Sequence, residues 1–71
     1  MPSKLSKREL EIAKLAAKGL SNQEIADRLP PLQQTTVKSH IKSLLNKTGT
    51  TSRTGMVTYL LKDGTLKMED L

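Results

Sequence analysis

Apolar residues recur along this chain at helical spacing, in four short blocks bounded by capping residues, glycines or prolines. The clearest block runs from Gln34 to Lys47. There Val37, Ile41 and Leu44 fall at i, i+4 and i+7, with Leu45 at the edge of the stripe. Thr35, Lys38, Ser39, Lys42 and Asn46 fall on the opposite face. This pattern predicts an amphipathic helix with one buried and one solvent-facing side.

The remaining blocks are read in the same way. Ser6 and Glu9 have the spacing of a capping box, with Leu5 placed as a hydrophobic staple. They predict a first helix over about Lys7 to Lys18 that buries Ile12, Leu15 and Ala16, with Ala13 alongside and Leu10 half exposed. Gly19 supplies its left-handed stop. Ser21 and Glu24 form a second capping box, opening a helix over about Asn22 to Leu29 that buries Ile25, Ala26 and Leu29. Pro30 and Pro31 end it. Leu32 is a lone apolar residue in the turn, and Gln33 occupies a cap position where Ser or Thr would serve better. After Gly49 and the polar Thr50-Thr51-Ser52, a last helix is expected over about Arg53 to Lys62, closed by Asp63-Gly64. Residues 1–4 read as a flexible lead and residues 65–71 as an extended tail from which Leu66 docks back.

The expected fold is therefore all-α, with four helices in one small domain over residues 5–64. A helix, a tight turn and a second helix occupy about residues 21–47. Composition agrees with packed helices. Only 35% of the 71 residues are hydrophobic, and the single aromatic is Tyr59, too little β-branched and aromatic material for a sandwich. A chain this short buries a modest core. No cysteine is present, which excludes disulfides, thiolate metal sites and a thiol nucleophile. Met1-Pro-Ser-Lys4 lacks a signal-peptide core, and no apolar run approaches membrane-spanning length, so a cytoplasmic location is expected.

Charge narrows the partner. The net charge is +5 and the sequence pI about 9.8, which points to a polyanion. The outer face of the Gln34–Lys47 block carries lysines and short hydrogen-bonding side chains with no carboxylate. A solvated helix face usually mixes signs. A single-sign face suits double-stranded DNA, whose major groove admits an α-helix. The alternative is a basic helical interaction module that docks an acidic partner, such as a polymerase subunit. A steep salt dependence of binding to random duplex separates the two. Catalysis has little to stand on. His40 lies at the edge of an apolar stripe, without a second histidine, a cysteine or an acidic cluster, and reads as a packed or phosphate-facing side chain. No cofactor and no metal are expected.

Leu5-Ser-Lys-Arg-Glu9, Gly19-Leu-Ser-Asn-Gln-Glu-Ile-Ala26, Thr36-Val-Lys-Ser-His-Ile41 and Lys47-Thr-Gly49 together resemble the LuxR/FixJ-type, or GerE-type, helix-turn-helix domain. The resemblance covers about residues 5–61, with several separate motifs in the right order. It implies a four-helix DNA-binding domain of bacterial transcription regulators, associated with the nucleoid, in which the third helix reads the major groove. Such a domain stands alone or forms the output half of a response regulator, and the Leu60-Leu-Lys-Asp-Gly64 ending is similar to the free-standing kind. RNA polymerase is a further partner for a regulator of this kind. The base-reading positions fall on Lys38, Ser39 and Lys42. Phosphate contacts fall to Asn22, Gln34, Thr35, Thr36 and Lys47.

The chain departs from the family pattern in the turn, where Pro30-Pro31 carries one extra residue ahead of Val37. Thr48 stands where the family favours leucine. Gly55 sits early in the last helix, where it costs about 1 kcal/mol against alanine. That helix offers Met56, Val57, Tyr59, Leu60 and Leu61, more apolar side chains than one face against a small core uses. The family's fourth helix often pairs two copies. A symmetric contact through these five residues is therefore expected, weak in free solution and strengthened on DNA.

Overall fold

The computed structural model describes residues 5–71, so the lead expected over residues 1–4 lies outside the described residues. Four helices follow in order: α1 (Lys7–Ala17), α2 (Asn22–Arg28), α3 (Gln34–Thr48) and α4 (Arg53–Lys62). A single 3-10 turn at Met68–Asp70 comes after them. The described residues contain no strand.

Local chemistry sets the helix starts. The Ser6 hydroxyl accepts from the Glu9 amide at 3.1 Å, and the Glu9 carboxylate accepts from the Ser6 amide at 2.9 Å. Ser21 and Glu24 repeat the arrangement at 3.2 and 2.9 Å. Ser52 caps α4 by accepting from the Gly55 amide at 3.1 Å. Only α3 among the four starts without a side-chain cap, because Gln33 makes no such bond. Its first turn is closed by the backbone alone, Val37 N–H to the Gln33 carbonyl at 3.0 Å.

The helix ends shift slightly from expectation. α1 ends at Ala17 with Lys18 as its cap, and Gly19 adopts φ +87°, the left-handed geometry that glycine tolerates. α2 ends at Arg28 because Leu29, ahead of Pro30, leaves the helical well at φ −127°, ψ 57°. α3 runs one residue past Lys47, to Thr48.

One core joins all four helices. Ile12, Ala13 and Ala16 from α1 meet Ile25 and Ala26 from α2, Val37, Ile41 and Leu44 from α3, and Met56 and Leu60 from α4. Leu15 and Leu29 are half-buried at its edge, not inside it as expected, and Leu10 is half-buried as expected. Leu32 packs against the core from the turn, and its amide donates to the Leu29 carbonyl at 3.0 Å. Val37 keeps its inward place, fully buried.

One expectation needs correction. The last segment is not an extended tail. Leu66 is fully buried in the core and its amide donates to the Leu60 carbonyl at 3.0 Å, so the segment continues the domain past residue 64. Thr48, where the family pattern favours leucine, is accommodated by its hydroxyl. It is buried with its hydroxyl donating to the Leu44 carbonyl at 2.9 Å and 2.7 Å from the Thr50 hydroxyl.

Candidate nucleic-acid interface

α3 divides cleanly between core and solvent. Val37 and Leu44 are fully buried and Ile41 nearly so, while Thr35, Thr36, Lys38, Ser39, Lys42 and Asn46 are exposed. The burial of one stripe fixes the rotation of the helix about its axis. Lys38, Ser39 and Lys42, at i, i+1 and i+4, thus share one outward face. α3 contains no Asp or Glu, so nothing on the helix itself neutralises that face. The Ser39 hydroxyl donates back to the Thr35 carbonyl at 3.2 Å, a bond internal to the helix. His40 is half-buried.

Three carboxylates of the neighbouring helices, Glu24, Asp27 and Glu9, are engaged within the chain. Glu24 is held by the Ser21 backbone amide and the Ser21 hydroxyl, which lowers its carboxyl from the ordinary value. Asp27 accepts from the Gln23 amide group at 3.0 Å on the exposed side of α2. Glu9 is buried. Burial by itself pushes its carboxyl up, but hydrogen bonds from Lys47, the Ser6 amide and Ser43, with the Lys47 charge, outweigh that and bring it to about 2.

The expected backbone contacts fall in three places. Gln34, Thr35 and Thr36 form the exposed first turn of α3, where unpaired amides and the positive end of the helix dipole face outward. Asn22 opens α2, and its side-chain oxygen accepts from the Arg53 guanidinium, which leaves the amide hydrogens as its outward donors. Lys47 lies apart from these. Its Nζ is 2.6 Å from Oε1 of Glu9 on α1. This pairing spans 38 positions in sequence and carries no local signal in the spacing of residues. Ser43, one turn earlier on α3, donates to the other Glu9 oxygen at 3.1 Å.

The apolar surplus on α4 is smaller than expected. Met56 and Leu60 are fully buried in the core of a single chain, so they are withdrawn from the expected contact between copies. Their i, i+4 spacing points both inward over α1 and α3. Val57 and Leu61 are half-buried against the edge of that core and Tyr59 is 41% exposed, so these three keep accessible surface. A shallow groove beside Val57 and Thr58 is floored by Ala16, Ala17 and Leu20 of the α1 end.

The family model described as bacterial regulatory proteins, luxR family, matches residues 3–60 of this chain. The chain belongs to the LuxR family. Members of this family are DNA-binding transcription regulators and not enzymes, and the α2–turn–α3 unit here is the LuxR-type helix-turn-helix. The oxygen regulatory protein NreC of Staphylococcus aureus strains JH9, JH1 and USA300 is 47% identical over 58 residues, covering 82% of this chain and 26% of NreC. The chain thus spans about a quarter of the length of the curated relatives it matches. No solved structure gives a significant match. Among the described residues, no cluster of His, Cys, Asp or Glu is arranged to hold a metal ion, and no helix is long and apolar enough to cross a membrane.

Proposed function

We propose that this LuxR-type domain binds double-stranded DNA sequence-specifically with α3 in the major groove. The observation that carries the reading is the outward face of α3, where Lys38, Ser39 and Lys42 stand exposed on a helix whose other side is locked into the core. Lysine donates to the O6 and N7 acceptors of guanine, and a small serine lets the helix approach the base edges closely. Asn22, Gln34, Thr35 and Thr36 supply phosphate contacts that hold the register of the helix on the duplex. Lys47, expected among them, is already engaged by Glu9.

Two copies bind together on DNA through a symmetric contact of Val57, Tyr59 and Leu61 on α4, with the groove beside Val57 covered in the process. The contact is small, so it forms weakly in free solution. In the cell the domain works at the nucleoid in a bacterial cytoplasm. It acts as a free-standing regulator or as the output half of a longer one, and meets RNA polymerase at the promoters it occupies.

Selection of bound duplexes from a random pool tests this. The reading predicts enrichment of a site with two related halves about one helical turn apart. A pool that remains unenriched after repeated rounds contradicts it.

A further inference from the structure

The lysines of α3 are not equivalent. Lys38 and Lys42 stand exposed on the outward face. Lys47 is also exposed, its side chain 43% accessible, but its ammonium lies 2.6 Å from a carboxylate that is itself held in place. Glu9 is 5% exposed, accepts from the Ser6 amide at 2.9 Å as part of the α1 cap, and accepts from the Ser43 hydroxyl at 3.1 Å. A carboxylate held by the backbone cap of its own helix cannot swing outward to follow a departing lysine. The carboxylate side chain is 7% exposed and the lysine 43%, so the cost of separating the pair falls on Glu9, which would be left buried without its cation. Ser43 and Lys47, one turn apart on α3, converge on the same group.

The pair has no net formal charge. Salt-dependent attraction to duplex DNA comes from lysines and arginines that neutralise phosphates and release their counterions. That attraction is indifferent to sequence, whereas base-edge contacts are not. A free lysine at the C-terminal end of α3 would strengthen binding to every duplex alike.

We propose that Glu9 withholds Lys47 from the DNA backbone, confining the active positive charge of α3 to Lys38 and Lys42 and thereby favouring specific over random sites. Glu9 is a positioning residue in this role, acting on DNA through Lys47. The inference rests on the DNA-binding reading above and adds a determinant of discrimination to it.

The test is the salt dependence of binding to a random-sequence duplex, measured for the parent, Glu9→Gln, Lys47→Gln, the double variant and Glu11→Gln. Circular dichroism checks folding of each. Glutamine at position 9 preserves the capping box while removing the charge. Glu11→Gln adds the same net charge on the same helix and controls for a general electrostatic gain. In Glu9→Gln the slope of log affinity against log salt steepens by about 0.9, one additional phosphate, and affinity at low salt rises several-fold. Glu11→Gln leaves the slope at the parental value. Lys47→Gln alone also leaves it there, and the double variant returns to it.

A folded Glu9→Gln chain with the parental slope overturns the inference. Should Glu9→Gln fail to fold, Lys47→Gln decides. A slope shallower by about 0.9 would show that Lys47 already neutralises a phosphate, which overturns the inference, and an unchanged slope supports it. A parent that shows no salt-dependent binding to duplex overturns the underlying DNA-binding reading and this inference with it.

Discussion

Arg53, the first residue of α4, donates to the side-chain oxygen of Asn22, the first residue of α2. A second guanidinium nitrogen donates to the Leu20 carbonyl at 2.9 Å. One side chain therefore ties the start of the last helix to the start of the helix-turn-helix. Replacing it by methionine keeps much of the apolar stem and removes both bonds. Arg53→Met is expected to cost about 1–2 kcal/mol of folding stability and to weaken DNA binding through a less ordered Asn22. Chemical denaturation measures the first effect, and an unchanged midpoint would dismiss the tie as incidental.

The second capping box has a separate expected cost. Ser21→Ala leaves the Glu24 amide without its acceptor at the start of a seven-residue helix. A loss of about 1 kcal/mol is expected, read as a lower denaturation midpoint at constant slope. A parental midpoint would remove Ser21 from the set of residues that stabilise α2.

Acid should act through Glu9. Its carboxyl is lowered from 4.5 to about 2 in the folded chain, so the unfolded chain takes up a proton first as pH falls. The stabilisation it contributes is complete above about pH 4.5 and is lost as pH falls from there through about 2. Its size at neutral pH is at most about 3 kcal/mol. Denaturation of the parent and of Glu9→Gln across this range should converge at low pH, because the variant lacks the titrating group. Parallel profiles that never approach one another would contradict the assignment.

The proposed contact between copies is tested at Val57. A charge introduced there by Val57→Asp should abolish cooperative occupancy of a duplex with two half-sites while leaving affinity for a single half-site unchanged. Folding of the variant is checked by circular dichroism. Cooperative occupancy that survives in a folded variant overturns the proposed contact.

Most of the fold was legible along the sequence because its signals are local. Ser6 with Glu9 and Ser21 with Glu24 mark helix starts three residues apart, and Gly19, Pro30 and Gly49 mark stops. The stripe Val37, Ile41, Leu44 told inside from outside on α3, and the exposure of Lys38, Ser39 and Lys42 follows from it. What depended on residues far apart was not legible. Nothing near Glu9 points to Ser43 or Lys47, and nothing near Arg53 points to Leu20 or Asn22. α4 misled for a different reason. Its apolar residues are spread around the helix, so periodicity alone did not separate Met56 and Leu60, which lie inside the core, from Val57 and Leu61, which pack half-buried at its edge, or from Tyr59, which is exposed. Leu66 was anticipated to dock back, but only tertiary packing makes it a full member of the core.

The assignment of the outward face of α3 as the base-reading surface meets its most direct test at Lys42. This residue is exposed on the outward face near the middle of the helix, one turn beyond Lys38. Binding of the parent and of Lys42→Ala to the site selected from a random pool, and to its single-base variants, is the measurement. Lys42→Ala is expected to bind the selected site about 1–3 kcal/mol more weakly and to lose preference at one position in each half-site. A folded Lys42→Ala chain that binds the selected site with parental affinity and parental preference at every position would contradict it.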